Sequence, residues 1–576
     1  MRFSRILILF VVLTVVSAPA RAETNVDQIA DAWLEGFAAF DPFEARLWGV
    51  ATPSGDLMGD NRITARIAWI DQQRIWLAAL SPIDPDSLDL RERTLLINLR
   101  GKLEAAIALQ ACRPELWPLN HVAGWHLNLI NSLGIAGETA GENLDPDQLR
   151  LWVDDLLDYL VVEEENLRAG LAAGYSTPRG IALQVAAQMD ALAEANGALE
   201  TASDFLPDEL ADIWRDLVQT RLNPGFAAHT RFIREEYAPL ARTERSLSSL
   251  PNGEACYAAS ILRHTGIRMT DTQLLSLSAD MTRRAEQHLT RLGEELWGLS
   301  APAEIRAQLE ATSDTALEGE DAVIAAAQAD SDRLIAASRP YFPDLPAHRV
   351  RMEVYPQTQR AAMVASYRPD FEAGYAGIYF LNPEDPRMSA RRSSESVTSH
   401  EVAPGHHMQA MVGLDSGALG ANPAHQILTV GMNNAFVEGW AQYAEIFAAE
   451  AGLLSNPEIG LRFWSEFGGS IPIEVNFNAG TASEPDTARR LLERRGAPTD
   501  DLSPADPVLD WLAMMPAQVI SYDLGADFIY LLRDRARAEL GEAFDYPTFH
   551  RLILEEGSVP LWRLEDKVNT WIADAG

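Results

Sequence analysis

The run from Ser399 to Gln409 holds the residue types most able to do chemistry, and it reads Ser-His-Glu-Val-Ala-Pro-Gly-His-His-Met-Gln. It begins as the zinc-hydrolase motif H-E-x-x-H does, because His400 is directly followed by Glu401. In that motif two histidines one helical turn apart bind one zinc ion, and the glutamate between them activates a water. Here proline occupies the fifth position, and the next histidines come two and three residues late. The run therefore predicts a metal site only if the helix departs from regular geometry.

That departure is predicted at Pro404 and Gly405. Proline has no N–H to donate to the carbonyl of His400, and its ring crowds that carbonyl; glycine tolerates the backbone angles that follow. In a regular helix His406 would lie about 9 Å along the axis on the opposite side, and His407 about 10.5 Å away. A break can return one of these two histidines to the metal. We favour His406, because the break then absorbs two extra residues and not three, and His407 stays open as the alternative.

A third ligand is expected from a helix predicted over 433–451, whose apolar stripe marks its packed face. That stripe consists of Phe436, Trp440, Tyr443 and Phe447. Glu438 and Glu445 lie off the stripe, two turns apart on one face. Catalytic zinc sites often combine two histidines with a carboxylate, so Glu438 is the preferred ligand, although a solvated helix face would also explain it. Gly439 beside it would let a second helix approach closely.

Together these residues predict one Zn²⁺ per chain, held by His400, His406 and Glu438. Glu401 would act as a base on water and not as a ligand. The sequence contains no G-x-S-x-G elbow, P-loop or G-x-G-x-x-G run that would favour another chemistry.

The elements that must position these residues are mainly helical. Apolar residues recur at three- and four-residue intervals from 26 to about 337, and further helices are predicted over 519–540 and 562–572. The segment 455–510 is expected to be less regular, since glycines and a proline interrupt it. Three short strands are predicted before the motif, over 350–355, 362–367 and 377–381.

At 576 residues the chain is long enough for more than one packed lobe. The change from helical to alternating patterns predicts a helical lobe over 23–345 and a zinc-site lobe over 346–576. Two further histidines, His121 and His126, lie near tryptophans in the first lobe. They are interpreted as hydrogen-bonded residues of a packed loop, and a second metal or substrate site is the less favoured interpretation.

The first 22 residues have the three parts of a secretory signal peptide. Arg2 and Arg5 precede an apolar run from Ile6 to Val16, and a small-x-small cleavage site ends at Ala22. The run is too short to span a bilayer, and no later stretch reaches the roughly 18 apolar residues of a membrane span. No cysteine follows the run, so a lipid anchor is not indicated. A secreted or periplasmic protein is therefore predicted.

The formal net charge of −36 argues against nucleic acid or an anionic membrane as the main partner. The two cysteines, Cys112 and Cys256, could form one disulfide in an oxidising compartment. Their spacing along the chain gives no distance in space, so the pairing stays open, as does the oligomeric state.

Several separate motifs resemble those of the secreted bacterial proteins called domain-of-unknown-function family 885. Residues 400–409 match its H-E-x-x-P-G-H-H-x-Q pattern, and the F-x-E-G-W-A-x-Y run at 436–443 is similar to a second family motif. Residues 516–525 resemble its P-G-Q-x-x-x-Y-x-x-G motif. The matches cover most of the C-terminal half in the family's order, whereas the N-terminal half matches in length and helical character.

This resemblance implies a mainly helical, gluzincin-like metallopeptidase fold with a small sheet beside the zinc helix. Carried over by position, it implies the zinc ligands His400, His406 and Glu438. It implies that Glu401 is the general base and that Tyr522 stabilises the oxyanion. His407 is implied either as an alternative ligand or as a donor to substrate. The strand at 377–381 is expected to pair with an extended peptide by strand addition.

The chain departs from the family pattern at two places. Residues 471–480 read Ile-Pro-Ile-Glu-Val-Asn-Phe-Asn-Ala-Gly, without the Arg and His of the family's R-x-x-x-D-x-G-x-H-like stretch. Ala517 stands at the second position of P-G-Q. The substrate-facing wall is therefore expected to differ from that of other members.

The function expected from these observations is that of a secreted zinc metallopeptidase, acting on a peptide or peptide-like substrate through a metal-bound water activated by Glu401. Two alternatives remain. One is a zinc-stabilised binding protein that no longer turns over substrate, and the other is a metal-dependent hydrolase of a non-peptide amide or ester.

Overall fold

The structure is a computed structural model of the 576-residue chain. It describes residues 25–52, 55–141, 144–194, 197–344, 349–355, 360, 364–369, 375–416, 427–428, 433–494 and 497–575. The predicted signal peptide lies outside the described residues.

Helices account for most of the described chain, as predicted. The helices before the sheet are α1 Val26–Phe40, α2 Pro42–Leu47, α3 Ile63–Leu80, α4 Leu90–Ala108, α5 Leu129–Ala140, α6 Pro146–Ala173, α7 Arg179–Ala193, α8 Ala198–Thr201, α9 Asp208–Leu217, α10 Asn223–Phe232, α11 Gly253–Thr265, α12 Asp271–Trp297, α13 Pro302–Ala311 and α14 Glu320–Ser338. The helices after the sheet are α15 Arg391–Glu401, α16 His406–Asp415, α17 Asn434–Glu450, α18 Glu458–Glu466, α19 Ser470–Asn478, α20 Glu484–Arg494, α21 Asp506–Met514, α22 Ile520–Leu540, α23 Tyr546–Leu554 and α24 Leu561–Ala575.

The longest helices begin and end at residues suited to caps. At the start of α12 the Thr270 side chain accepts the N–H of Gln273, and the Gln273 side chain accepts the N–H of Thr270. This reciprocal arrangement is a capping box. Asp145 accepts two first-turn amides of α6. Gly174 and Gly298 end α6 and α12 in the left-handed region that glycine adopts without strain.

The described part of the chain contains three strands before the motif at 400–409, close to where they were predicted. They are β1 Arg349–Val354, β2 Ser366–Pro369 and β3 Tyr375–Leu381. The start of the second predicted strand, at 362–363, lies outside the described residues. The sheet order is β1-β3-β2, with β1 parallel and β2 antiparallel to β3.

This order makes one expectation about the sheet wrong. β3 contains 377–381, and it already pairs with β1 on one side and β2 on the other. A central strand has no free edge, so it cannot accept an added peptide strand. Strand order depends on tertiary packing, which the spacing of the strands along the sequence does not reveal.

The expectation that 455–510 is less regular is also wrong, because this segment forms the four helices α18 to α21. The breakers lie at helix ends and not inside helices. Gly468 and Gly480 have positive φ angles of 79° and 71° in the turns on either side of α19. Pro485 occupies the second position of α20, where its missing N–H costs nothing. These glycines and the proline therefore separate short helices and do not prevent helix formation.

Among the residues that the structure describes, the buried apolar side chains form three clusters. The first joins α1, α3 and α4 with Ile427 and Leu428, and the second joins α2 with helices α5 to α10. The third and largest packs the sheet and the helices from α11 onward around α17. It includes Leu334 and Tyr379, which stand on either side of the predicted lobe boundary. The division at residue 345 stays a prediction.

Helices α17 and α22 approach each other closely through two glycines. A Cβ added to Gly439 would lie 2.4 Å from the Cα of Gly525, and one added to Gly525 would lie 1.7 Å from the carbonyl oxygen of Ala435. No side chain fits there, so the contact requires glycine on both helices. The close approach predicted from Gly439 is confirmed.

The two cysteines form a disulfide. Cys112 and Cys256 lie with their Cα atoms 4.5 Å apart and close a loop of 144 residues. Both are buried within the largest core. None of the described helices combines the length and apolarity that a membrane crossing requires.

Replacing both cysteines by serine is expected to lower the stability of the fold by about 2–4 kcal/mol, because the unfolded chain regains the freedom of a long loop. Differential scanning calorimetry of the double variant measures the effect. Wild-type protein treated with a phosphine reductant is the matched control, since it loses the bond and keeps both sulfurs. An unchanged melting temperature in both samples would contradict a structural disulfide.

Candidate metal centre

The predicted break in the motif helix occurs between α15 and α16. α15 ends at Glu401 and α16 begins at His406. Across the break the N–H of Gly405 donates to the carbonyl of Ser399 at 3.1 Å. A Cβ on Gly405 would lie 1.7 Å from the carbonyl oxygen of His400, so only glycine fits. The Trp440 indole donates to the carbonyl oxygens of residues 404 and 405 at 3.1 and 3.2 Å, which satisfies the polar groups of this buried turn.

The break brings three predicted ligands together. The Nε2 atoms of His400 and His406 lie 3.5 and 3.6 Å from the same carboxylate oxygen, Oε2 of Glu438. One ligand atom from each of the three residues lies within 4.8 Å of the other two. Tetrahedral zinc with bonds of about 2.0–2.1 Å has ligand atoms roughly 3.4 Å apart. The donor types and spacing therefore fit a single zinc ion.

Both imidazoles are oriented through their other ring nitrogen. His400 Nδ1 lies 2.9 Å from Oε1 of Glu445, whose other oxygen accepts the hydroxyl of Ser396 at 2.7 Å. His406 Nδ1 lies 3.1 Å from Oε1 of Gln409. Metal-ligating histidines commonly donate this second N–H to a carboxylate or carbonyl, which fixes the ring and its tautomer.

The charges of the cluster support one another. Burial lowers the pKa of His400, but hydrogen bonds to Glu438 and Glu445 outweigh burial and raise that pKa well above its usual value. Burial raises the pKa of Glu438, but hydrogen bonds from the two imidazoles outweigh it and lower that pKa. The cluster therefore favours a negative charge on Glu438 and a positive charge beside it, as a cation site requires.

Glu401 lies beside the cluster but outside the ligand set. It is 8% exposed and, with the three predicted ligands, lines a cleft of about 990 Å³. Burial raises the pKa of its carboxyl, while His400 and His406 oppose that shift. Its position leaves it able to exchange a proton with a water in the cleft.

Tyr522 lines the same cleft from α22. Its ring stacks on His400 with the centroids 6.2 Å apart. Gln518 donates to its hydroxyl at 3.2 Å, and Trp511 in turn donates to Gln518 at 3.2 Å. Burial raises the pKa of Tyr522 well above its usual value, so the hydroxyl keeps its proton and can donate it in a hydrogen bond.

His407 does not join the cluster. It is 0% exposed, and its Nδ1 lies 3.3 Å from the hydroxyl of Tyr367 on β2. It is not among the described residues that line the cleft. The structure therefore brings His406 to the other two predicted ligands and directs His407 toward the sheet.

Sequence reasoning assigned no role to Glu445, Gln409 or Gln518. One signal was present for Glu445, because it lies two turns from Glu438 on the same helix face. The two glutamines stand in recognised motifs, but their partners depend on how α16 and α22 pack.

The other histidine pair, His121 and His126, is not among the described residues that line the cleft. His126 Nε2 lies 2.9 Å from Oε1 of Gln188, and Nε2 of Gln188 donates to the carbonyl of His121 at 3.0 Å. Burial lowers the pKa of both histidines. The interpretation as hydrogen-bonded residues of a packed loop is confirmed for His126, whereas the buried Nδ1 of His121 has no hydrogen-bond partner among the described residues.

Comparison with known proteins identifies the family. The sequence profile described as "Bacterial protein of unknown function (DUF885)" matches residues 42–568. The chain belongs to this family. No curated protein matches it.

Two solved structures share the fold of this DUF885 member. A candidate lipoprotein of Colwellia psychrerythraea superposes with a TM-score of 0.80 at 18% identity, over 96% of this chain and 100% of its own. A candidate lipoprotein of unknown function from Shewanella oneidensis superposes with a TM-score of 0.71 at 16% identity, over 94% of this chain and 99% of its own.

The two departures from the DUF885 motifs contact each other. Glu474, in the altered segment, accepts the N–H of Ala517 at 2.7 Å and an Asn478 N–H at 2.8 Å. Burial raises the pKa of Glu474 to about 8. Ala517 has a φ of 67°, a left-handed conformation that costs a non-glycine residue about 1–2 kcal/mol. This bond therefore helps to hold the turn that leads into Gln518.

Glu445→Gln is expected to weaken zinc binding about 10- to 100-fold, because His400 loses the carboxylate that orients its ring. Competition with a chromophoric chelator measures the affinity. Glu466→Gln is the matched control, since Glu466 is an exposed glutamate of the same cleft. Equal affinities in the two variants would contradict the role of Glu445.

Proposed function

We propose that this chain is an exported zinc-dependent peptidase of gluzincin-like architecture. The observation that carries the proposal is the arrangement of His400, His406 and Glu438 around one point, with Glu401 beside them in a large cleft. Two histidines and one carboxylate leave room for a water or substrate oxygen, which distinguishes catalytic from structural zinc sites.

The three ligands would hold the zinc ion through imidazole Nε2 atoms and a carboxylate oxygen. When bound, zinc supplies a Lewis acid that polarises a carbonyl and makes a water acidic enough to react near neutral pH. The chain's own residues supply the proton transfers. The Glu401 carboxylate accepts a proton as the water attacks the peptide carbon, and then delivers a proton to the departing amine as the C–N bond breaks.

Tyr522 is placed to stabilise the developing oxyanion. Its hydroxyl keeps its proton, faces the same cleft and is held by Gln518. A preorganised phenol can donate a hydrogen bond to charge that appears only in the transition state.

An extended peptide would reach this site along β2 and not along β3. β2 lies at the end of the sheet, and residues 364–367 line the cleft. Edge strands offer unpaired main-chain groups to an extended peptide. The cleft's volume, about 990 Å³, leaves room for several residues of substrate.

Export is supported by three separate features. The first 22 residues have the pattern of a signal peptide. The disulfide is typical of an oxidising compartment. The two structural neighbours are candidate lipoproteins, which is consistent with an extracytoplasmic location.

The central test compares Glu401→Gln with wild type in cleavage of a broad peptide library, read by mass spectrometry with a chelator control. The variant is expected to keep zinc and to lose about 10²- to 10⁴-fold in rate, because the proton acceptor is gone. Glu493→Gln, at an exposed glutamate that is not among the described residues lining the cleft, should cleave as wild type does.

Full activity of Glu401→Gln would show that the base is another group. Zinc bound by wild type without any cleavage of the library would instead favour a binding protein. Parallel panels of simple esters and non-peptide amides distinguish a third outcome, a hydrolase of another substrate class.

A further inference from the structure

A second cavity lies apart from the metal cleft. It has a volume of about 310 Å³ and is formed between α4, α11 and the start of α24. It shares no described lining residue with the cleft. The proposed metal site therefore does not explain this cavity.

The cavity gathers positive charge in a strongly acidic protein. Arg100 and Lys102 of α4 and Arg263 of α11 line it, whereas Glu104 is the one acidic residue among its described lining residues. Arg100 donates to the carbonyl oxygens of Leu80 at the end of α3 and of Ile83 beyond it, so its guanidinium is already engaged.

Arg263 has no such partner. Within the described part of the chain its guanidinium makes neither an ion pair nor a hydrogen bond, although it is half-buried. Burial lowers the pKa of Arg263, and burial together with repulsion from Arg263 lowers the pKa of Lys102 to about 7. The Nζ of Lys102 lies 5.0 Å from the ring centroid of Trp33, so Arg263 is the cation of this cavity whose charge a ligand can pair with.

A buried donor without an acceptor also indicates that the cavity binds an anionic ligand. Asn98 is 4% exposed and lines the cavity, and its Nδ2 finds no hydrogen-bond acceptor among the described residues. A buried donor without an acceptor is costly, which indicates that a ligand atom can accept from it. A donor in the same cavity as the Arg263 guanidinium suits an anionic oxygen.

The remaining walls are apolar. Ile97, Leu109, Leu262 and Pro560 line the cavity, and Trp562 closes it with a side chain that is 47% exposed. A free inorganic anion would gain nothing from these walls, whereas an apolar body would bury surface against them.

We propose that this cavity binds a small amphipathic anion, with a carboxylate or phosphate head group at Arg263 and Asn98 and an apolar body against Trp562. The site is independent of the proposed peptidase activity. Its volume suits a ligand of about ten non-hydrogen atoms, the size of a medium-chain fatty acid.

Octanoate is the probe, and isothermal titration calorimetry of the intact protein measures its binding. One site with a dissociation constant between about 10 µM and 1 mM is expected. Octan-1-ol, which lacks the charge, should show no saturable binding, and inorganic phosphate, which lacks the apolar body, should bind at least tenfold more weakly.

Arg263→Gln is expected to weaken octanoate binding at least tenfold, and Arg263→Lys less. Arg268→Gln is the matched control, because it removes the same charge from an exposed residue nearby; it should change the affinity less than twofold. Trp562→Ala, at an exposed side chain that folding tolerates, should weaken octanoate about three- to tenfold and leave phosphate unchanged.

Octanoate that does not bind at millimolar concentration would overturn the proposal. So would equal affinity in Arg263→Gln and Arg268→Gln. Phosphate that binds as tightly as octanoate would overturn the amphipathic character of the ligand. If Arg263→Gln fails to fold by circular dichroism, an affinity unchanged in Trp562→Ala overturns the proposal by itself.

Discussion

The candidate site depends on one constraint, the turn that ends α15 at Glu401 and restarts the chain as α16 at His406. Without this turn the second histidine would point away from the first. The turn requires glycine at 405, since any Cβ there would collide with the carbonyl of His400. It also requires partners for its buried carbonyls, and Trp440 of α17 supplies them. The helix that secures the turn is the helix that carries Glu438.

α17 therefore has several roles at once. It contributes Glu438 to the cluster, Glu445 to the orientation of His400 and Trp440 to the turn. Its closest neighbour is α22, which meets it at Gly439 and Gly525 with no room for a side chain. That contact fixes the depth at which Tyr522 enters the cleft. A displacement of α17 would thus alter the proposed ligands, the turn and the proposed oxyanion donor together.

The sequence alone predicted the structural effect of residues with special backbone requirements. Proline and glycine in the motif predicted a break, and absorbing fewer residues favoured His406. Gly439 likewise predicted a close helix pair. The predictions of the break and of the close helix pair are confirmed, because a missing N–H or a missing Cβ has the same consequence in any fold.

Features that depend on distant parts of the chain could not be read in this way. The order of the three strands, the Cys112–Cys256 distance and the bond from Glu445 to His400 each depend on how separate elements pack. The glycines and proline of 455–510 were misread because they lie at helix ends, where composition resembles that of a loop. The positive cavity at Arg263 has no sequence signature, since α4 and α11 are far apart along the chain.

Anomalous diffraction from crystals grown with zinc, recorded above and below the zinc absorption edge, tests the central claim most directly. One peak per chain is expected, about 2.0–2.2 Å from Nε2 of His400, Nε2 of His406 and a carboxylate oxygen of Glu438. A structure with no peak at these three residues, or with His407 in place of His406 among the ligands, would contradict it.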